Sequence, residues 1–171
     1  MDSFVTRENI EALKGTRSLL TPREENWAYL AGLIDAEGCF RVKKWTPKGK
    51  PNPVYAISLE IGNTKFPIFP WLMERLGGNI SFIEAKHRKR CSAIWSLSAE
   101  ALYKVLPNII PFLRSKREVA EALMEFSQTI IPNGGDRHSV EFNRRYADIL
   151  SKREEIVARV HKLNAKGVNN V

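Results

Sequence analysis

The stretch "NWAYLAGLIDAEGCF", residues 26–40, places two carboxylates, Asp35 and Glu37, where an apolar helix stops. The unpaired carbonyls at a helix C-terminus add up to about half a negative charge, so acids there cost a few tenths of a kcal/mol or more. Upstream, Thr21, Pro22 and Glu24 fit a capping box with proline at the first helical position, and Gly38 fits the residue just past the end. A helix is therefore expected over about residues 22–36. Within it Trp27, Leu30 and Ile34 form one apolar stripe, while Ala28, Gly32 and Ala36 recur every fourth residue on another side. Two readings fit this pattern. Small residues at that spacing let two backbones approach, so the helix can pack on a similar helix and deliver its acids to the end of the seam. Otherwise it is an ordinary core helix whose last turn is acidic.

The chain has 171 residues, a length that suits one domain burying roughly 70% of its unfolded surface. Its 27 Lys and Arg against 19 Asp and Glu give a net charge of +8, which favours a polyanionic partner. No basic amphipathic helix with a clean Trp, Phe and Leu face stands out, so nucleic acid is preferred to a membrane surface. Cys39 and Cys91 are the only cysteines and stand at no metal-ligand spacing. With an N-terminus that lacks a basic stretch followed by an apolar core, the expectation is an intracellular protein in a reducing compartment, not secreted.

Beyond Gly38 the period changes from helical to alternating. "CFRVKKW" sets Phe40 and Val42 against Arg41 and Lys43. "YAISLEI" sets Tyr55, Ile57, Leu59 and Ile61 against Ala56, Ser58 and Glu60. The loop "TPKGKPNP" between them carries Lys48 and Lys50. A short helix in "FPIFPWLMERL" is ended by Gly77 and Gly78. "NISFIEA" and "SAIWSLS" then make a second hairpin around "KHRKRC", which holds Lys86, Arg88, Lys89 and Arg90. A helix in "AEALYKVL" is expected to stop at Pro107. "REVAEALMEFSQTI" is a strong amphipathic helix, "IPNGGDRH" a loop, "SVEFNRRYADILSKREEIVARVHKL" a helical stretch broken once, and "NAKGVNNV" a frayed tail. The order is helix, two strands, helix, two strands, helix, then further helices. Helices cover one face of the strands. The other face presents one sign of charge on two hairpins, and an antiparallel ribbon of that kind fits the DNA major groove.

"LAGLIDAEG", residues 30–38, resembles the signature of the LAGLIDADG homing endonucleases, with Glu37 where the family more often has aspartate. "EIGNTKFPIFPWLMERLGGNI" and "IIPFLRSKREVAEALMEF" resemble the family's second strand, helix and turn, and its later basic segment; the likeness covers residues 27–126. It implies an α+β fold with an αββαββα core over a saddle-shaped antiparallel sheet. The chain then reads as one domain, with an extension at 1–21, a core at 22–126 and C-terminal helices with a tail at 127–171. The function implied is site-specific cleavage of double-stranded DNA at a long pseudo-palindromic site by a homodimer, promoting mobility of a host intron or intervening element.

The resemblance makes Glu37 the ligand of Mg2+ or another divalent ion, with the Ala36 carbonyl beside it. It gives Lys116 and Lys65 basic roles and Asn63 that of organising water. The pairing face takes Ala28, Leu30, Ala31, Gly32 and Asp35, with Asp35 capping or bracing the helix interface or, alternatively, binding metal. The DNA face takes Cys39, Arg41, Lys43, Trp45, Lys48, Lys50, Ser58, Glu60, Lys86, Arg88, Lys89 and Arg90. His87, His138 and His161 match no catalytic position. No small-molecule cofactor is implied, and the compartment is the cytoplasm of a prokaryote or the interior of an organelle. Some proteins of this fold are instead RNA-binding intron maturases or DNA-binding regulators, which often lose the acid; retention of Glu37 with Lys116 favours cleavage.

Overall fold

The structure, a computed structural model, describes residues 4–15, 23–50, 52–85, 90–130 and 140–166. The alternating segments form β1 (Gly38–Trp45), β2 (Val54–Asn63), β3 (Asn79–Ile83) and β4 (Ser92–Ser98). They pair as one antiparallel sheet in the order β1-β2-β4-β3. Register aligns the apolar parity across strands: Phe40 faces Leu59, which faces Leu97, while Ile61 faces Trp95, which faces Ile80. All six are buried. Burial removes each such side chain from water at a gain of about 1.5–3 kcal/mol.

Three helices supply the matching apolar surface: α2 (Glu24–Glu37), α3 (Ile68–Leu76) and α4 (Ala99–Ile109). Leu30, Ala31 and Ile34 of α2, Phe69, Leu72 and Met73 of α3, and Leu102, Leu106 and Ile109 of α4 join the core. The indole of Trp95 sits in the middle of this core and donates its N–H to the Gly77 carbonyl at 2.7 Å, which satisfies its one polar atom. The glycines of that turn have a steric reason as well. Gly78 has φ +97°, and a Cβ there would lie 2.7 Å from the Ser96 carbonyl oxygen.

Three expectations need correction. Arg23 is extended at φ −90°, ψ 172° and caps α2 without a side-chain bond, so the helix does not start at Pro22; Thr21 and Pro22 themselves lie outside the described residues. Pro107 lies inside α4 rather than ending it. An interior proline costs about 3 kcal/mol, which full burial of Ile109 one half-turn later largely offsets. A helix unforeseen from the sequence, α1 (Arg7–Glu11), begins at a reciprocal cap: Thr6 Oγ accepts from the Asn9 N–H, and Asn9 Oδ1 accepts from the Thr6 N–H. The preceding Phe4 and Val5 pair with Thr64 and Lys65 at the end of β2. The segment before residue 21 is thus in part built into the core.

The chain divides into two compact units, 1–114 and 115–171, where the sequence reading has one domain with its core running to residue 126. α5 (Arg117–Ser127) goes with α6 (Val140–Lys166) in the second unit because the two pack on each other. α6 is continuous, without the expected break, since no Gly or Pro interrupts residues 140–166, and it carries Asn164 and Ala165 as helix rather than frayed tail. Polar bonds fix the pair. Arg153 donates from Nε to Thr129 Oγ1 at 2.9 Å and from its terminal nitrogen to the Thr129 carbonyl at 2.7 Å. Glu125 accepts from Lys152 at 2.8 Å and also pairs with Arg159.

The hydrogen bond from Lys152, aided by Arg159, holds the Glu125 carboxyl below its ordinary range. A lowered folded-state pKa contributes stability above the unfolded value of about 4.3, and that stability is lost as pH falls through the lowered value. Glu125→Gln is therefore expected to lower the melting temperature slightly at pH 7, with the difference from the unsubstituted chain closing below about pH 4. Calorimetric melting at both pH values checks this; an equal loss at both would mean packing, not charge, is what Glu125 supplies.

Candidate functional site

The junction between α2 and β1 is where the acids sit. No loop intervenes: Glu37 is the last helical residue and Gly38, extended at φ −77°, ψ 150°, is the first of the strand. A Cβ at residue 38 would lie 2.8 Å from both the Cα and the carbonyl oxygen of Ile34, so only glycine allows the chain to leave the helix in this direction. The Gly38 N–H closes the helix on the Ile34 carbonyl. The carbonyls beyond it, that of Ala36 included, have no amide a turn further on within the helix.

The two acids meet different surroundings. Asp35 Oδ2 accepts the main-chain N–H of Arg114 at 2.7 Å and so ties the end of α2 to the segment after the 3-10 turn Ile110–Phe112. Glu37 is exposed, and among the described residues its carboxylate makes no hydrogen bond or ion pair. It borders an open pocket shared with Gly62, Asn63 and Thr64 at the end of β2, Ile83 at the end of β3, and Ser92, Ala93 and Ile94 of β4. Asn63 therefore stands at the same pocket as Glu37. Its Oδ1 accepts the Lys65 N–H at 2.9 Å, a turn that leaves its amide nitrogen to other partners. The Lys65 ammonium lies over the Phe4 ring, 4.5 Å from its centre. Lys116 caps the start of α5 with its main chain and belongs to the second unit.

The face of the sheet turned from the core carries the opposite parity. Cys39 faces Glu60, Arg41 faces Ser58, Lys43 faces Ala56 and Trp45 faces Val54. Trp45 is 48% exposed. This surface is more mixed than the charge pattern implies, because Arg41 Nε already donates to Glu60 at 2.7 Å. Lys48 and Lys50 are exposed in the loop, where the Lys50 N–H closes a turn on Pro47. Lys86, His87, Arg88 and Lys89 lie outside the described residues, as does His138. Arg90 packs on the Phe4 ring at 4.2 Å. Sequence reasoning passed over Ser96 and Ser98 of β4 and Asn79 and Ser81 of β3, which share this face; the alternation in "SAIWSLS" was the signal.

The expected pairing face splits in two. Leu30 and Ala31 are buried in the chain's own core, at 1% and 0% exposure, and so are not at an open surface. Their side of α2 is taken by β1, β2 and α4. Ala28, Gly32 and Ala36 are exposed together, and a Cβ added at Gly32 would meet nothing within 4 Å. Among the described residues no three His, Cys, Asp or Glu side chains gather as a metal cluster. No helix among them is long and apolar enough to cross a membrane.

The fold is shared with solved homing endonucleases. A crystal structure of I-CvuI in complex with its target in 2 mM calcium aligns with a TM-score of 0.62 and 19% identity, covering 82% of this chain and 82% of that one. The group I intron-encoded homing endonuclease I-CeuI, complexed with DNA, aligns at 0.61 and 11% identity, covering 92% and 87%. The LAGLIDADG homing endonuclease I-GzeII, in complex with a DNA target, aligns at 0.55 and 15% identity over 75% of this chain but 43% of its own. No family model and no curated protein matches the sequence. The α+β architecture of this chain is thus that of the LAGLIDADG homing endonucleases.

The contrast between the acids has a direct test. Asp35→Ala removes the acceptor of the Arg114 N–H and is expected to lower unfolding stability by about 1–2 kcal/mol, whereas Glu37→Gln, which breaks no bond among the described residues, should leave it within about 0.5 kcal/mol. Urea midpoints of the two variants compared with the unsubstituted chain check both.

Proposed function

We propose that the chain is a site-specific DNA endonuclease that acts as a homodimer, holds a divalent cation with Glu37 and cuts both strands of a long, approximately palindromic site. The observation that carries this reading is the exposed Glu37, without a partner among the described residues, at the Gly38 junction, beside Asn63 and at the end of the sheet's polar face. The named solved structures of this fold are DNA complexes. Glu37 and the Ala36 carbonyl are hard oxygen donors at a negative helix end, and they fit Mg2+, which takes few protein ligands and keeps its waters. When bound, such an ion lowers the pKa of its water and takes up charge on the attacking and leaving oxygens.

The chain's own residues do the rest. The paired helices bring one Glu37 from each protomer to the centre of the bound duplex. Asn63 orients the attacking water at the pocket, and Lys116 and Lys65 offset charge on the phosphate. Arg41, Lys43, Lys48, Lys50 and the 86–90 segment hold the backbone, while Ser58, Glu60, Cys39 and Trp45 face base edges. Its cellular role is mobility of the intron or intervening element that encodes it, in whichever reducing compartment holds its DNA.

Two copies are needed because one chain brings one Glu37 and two strands are cut. The exposed line Ala28, Gly32 and Ala36 is the surface that supports pairing by close helix approach. Gly32→Ala separates the two states: an isolated chain gains up to about 1 kcal/mol of helix propensity, while a pair loses its close approach. Analytical ultracentrifugation should show dimer weakened at least about tenfold, equivalent to 1.4 kcal/mol, alongside an unchanged or raised monomer melting temperature. A dimer unaffected by Gly32→Ala removes α2 as the interface.

The decisive experiment is selection of cleaved sites from a DNA library in Mg2+, repeated with Glu37→Gln. Cleavage should fall by several orders of magnitude in the variant, while affinity for the same DNA without metal persists, because a negative charge near the phosphate has gone. Equal cutting by both would end the proposed role of Glu37. Binding to structured intron RNA without nicking of DNA would make the chain a maturase instead.

A further inference from the structure

The outer end of the β1–β2 ribbon carries hydrocarbon where the rest of its open face is polar. Val42 and Ile57 pair with each other and are buried, and beyond them the ribbon leaves the core. Lys43, Lys44 and Trp45 are exposed, as are Val54 and Ala56. Trp45 and Val54 form the outermost pair, on the same face as Arg41 and Lys43. Four large apolar side chains are exposed among the described residues, and these are two of them, at 48% and 41%. Directly opposed side chains on one face of an antiparallel pair are close neighbours, so the two make one apolar spot. Packing on Val54 leaves half of the indole in water, a cost that a bound partner removes.

Cations bracket the spot. Lys43 lies two residues inward on the same face, and Lys48 and Lys50 lie in the loop just outward, where the Lys50 N–H closes on the Pro47 carbonyl at 3.0 Å. All three are exposed, and none has an ion pair among the described residues. Hydrocarbon between cations suits a ligand whose hydrocarbon lies between anions. In the DNA major groove, walled by phosphates, the hydrocarbon on the base edges is the C5-methyl group of thymine. Thymine sets its O4 acceptor beside that methyl, whereas cytosine sets an amine donor there. Trp45 matches thymine in this as well: its indole N–H, which meets no acceptor among the described residues, stands beside its own apolar ring.

We infer that Trp45 and Val54 form a thymine subsite, taking the C5-methyl on their apolar surface and O4 on the indole N–H. The inference rests on the DNA-binding half of the proposed function and not on cleavage. Trp45 stands seven residues along β1 from Gly38, which at about 3.4 Å each puts it about 24 Å from the Glu37 junction. With one base step per roughly 3.4 Å of DNA strand, the subsite meets a base up to about seven pairs out, in the outer part of each half-site.

For the test, sites are selected from a DNA library by binding in calcium, and each outer thymine of one half-site is then replaced in turn by uracil, which lacks only the methyl. At one position the replacement is expected to weaken binding about fourfold, the worth of one buried methyl group. Trp45→Ala and Val54→Thr should each bring that ratio below about twofold, while Trp45→Phe, which keeps the apolar face without the N–H, should keep it. Trp45→Phe is expected instead to lose preference for thymine over 5-methylcytosine, which carries the methyl beside an amine. Each ratio compares two DNAs on one variant, so a general loss of hairpin stability does not move it.

Uracil tolerated at every outer position by the unsubstituted chain overturns the subsite. So does a fourfold ratio that survives both Trp45→Ala and Val54→Thr; weaker binding in these variants with that ratio intact makes the pair a support of the hairpin only. An unchanged preference for thymine over 5-methylcytosine in Trp45→Phe overturns the O4 contact. Binding without cutting in Mg2+ ends the nuclease reading and leaves the ratios to decide the subsite, whereas a chain that binds no duplex overturns both.

Discussion

The passage from helix to strand at Gly38 is the constraint from which the site follows. A helix that runs into a strand through one residue fixes the angle between them, and the absence of a Cβ at that residue is what lets the backbone pass Ile34 at 2.8 Å. The acids then have no freedom to drift. Asp35 is turned to the Arg114 amide and Glu37 to the pocket, two fates set by the roughly 100° that separate neighbouring residues on a helix, here about 200° over two. A loop between α2 and β1 would have released both from that geometry.

The sheet shows how division of labour arises from parity alone. One face is filled by Phe40, Leu59, Trp95 and their neighbours and supplies the stability. The other is therefore free of packing duty and carries serines, cations and an exposed tryptophan. Its polarity is tolerated because the strands' backbone groups are paired within the sheet, whatever the side chains above them do.

Much of this was legible in the residues, for identifiable reasons. Period-two alternation in "CFRVKKW" and "SAIWSLS" located β1 and β4 almost to the residue, since a half-buried strand leaves no other pattern. Gly38 was placed correctly but for a different reason: the signal for a glycine after a helix is usually a left-handed turn, and here it is a close approach in extended backbone. Pro107 misled because a local rule was overridden by burial of the turn beyond it. The division of the pairing face could not be read either, because Leu30 and Ala31 flank Ala28 and Gly32 in sequence and only the position of β1, β2 and α4 decides which side is taken. α1 went unseen because a helix of 5 residues leaves no period to find, although Thr6 and Asn9 had the spacing of its cap.

The Arg41–Glu60 pair gives the polar face a property that a uniformly basic surface lacks. In the free protein Arg41 is not an idle cation, so a ligand that engages it must exchange one partner for another and leave Glu60 to find a donor of its own. On the proposed duplex that donor is an exocyclic amine of a base, which only some sequences present at that place. A sequence without one strands a carboxylate beside the DNA, and the mismatch is penalised twice. Under the proposed function, the pair lowers affinity for DNA in general while widening the gap between right and wrong sites.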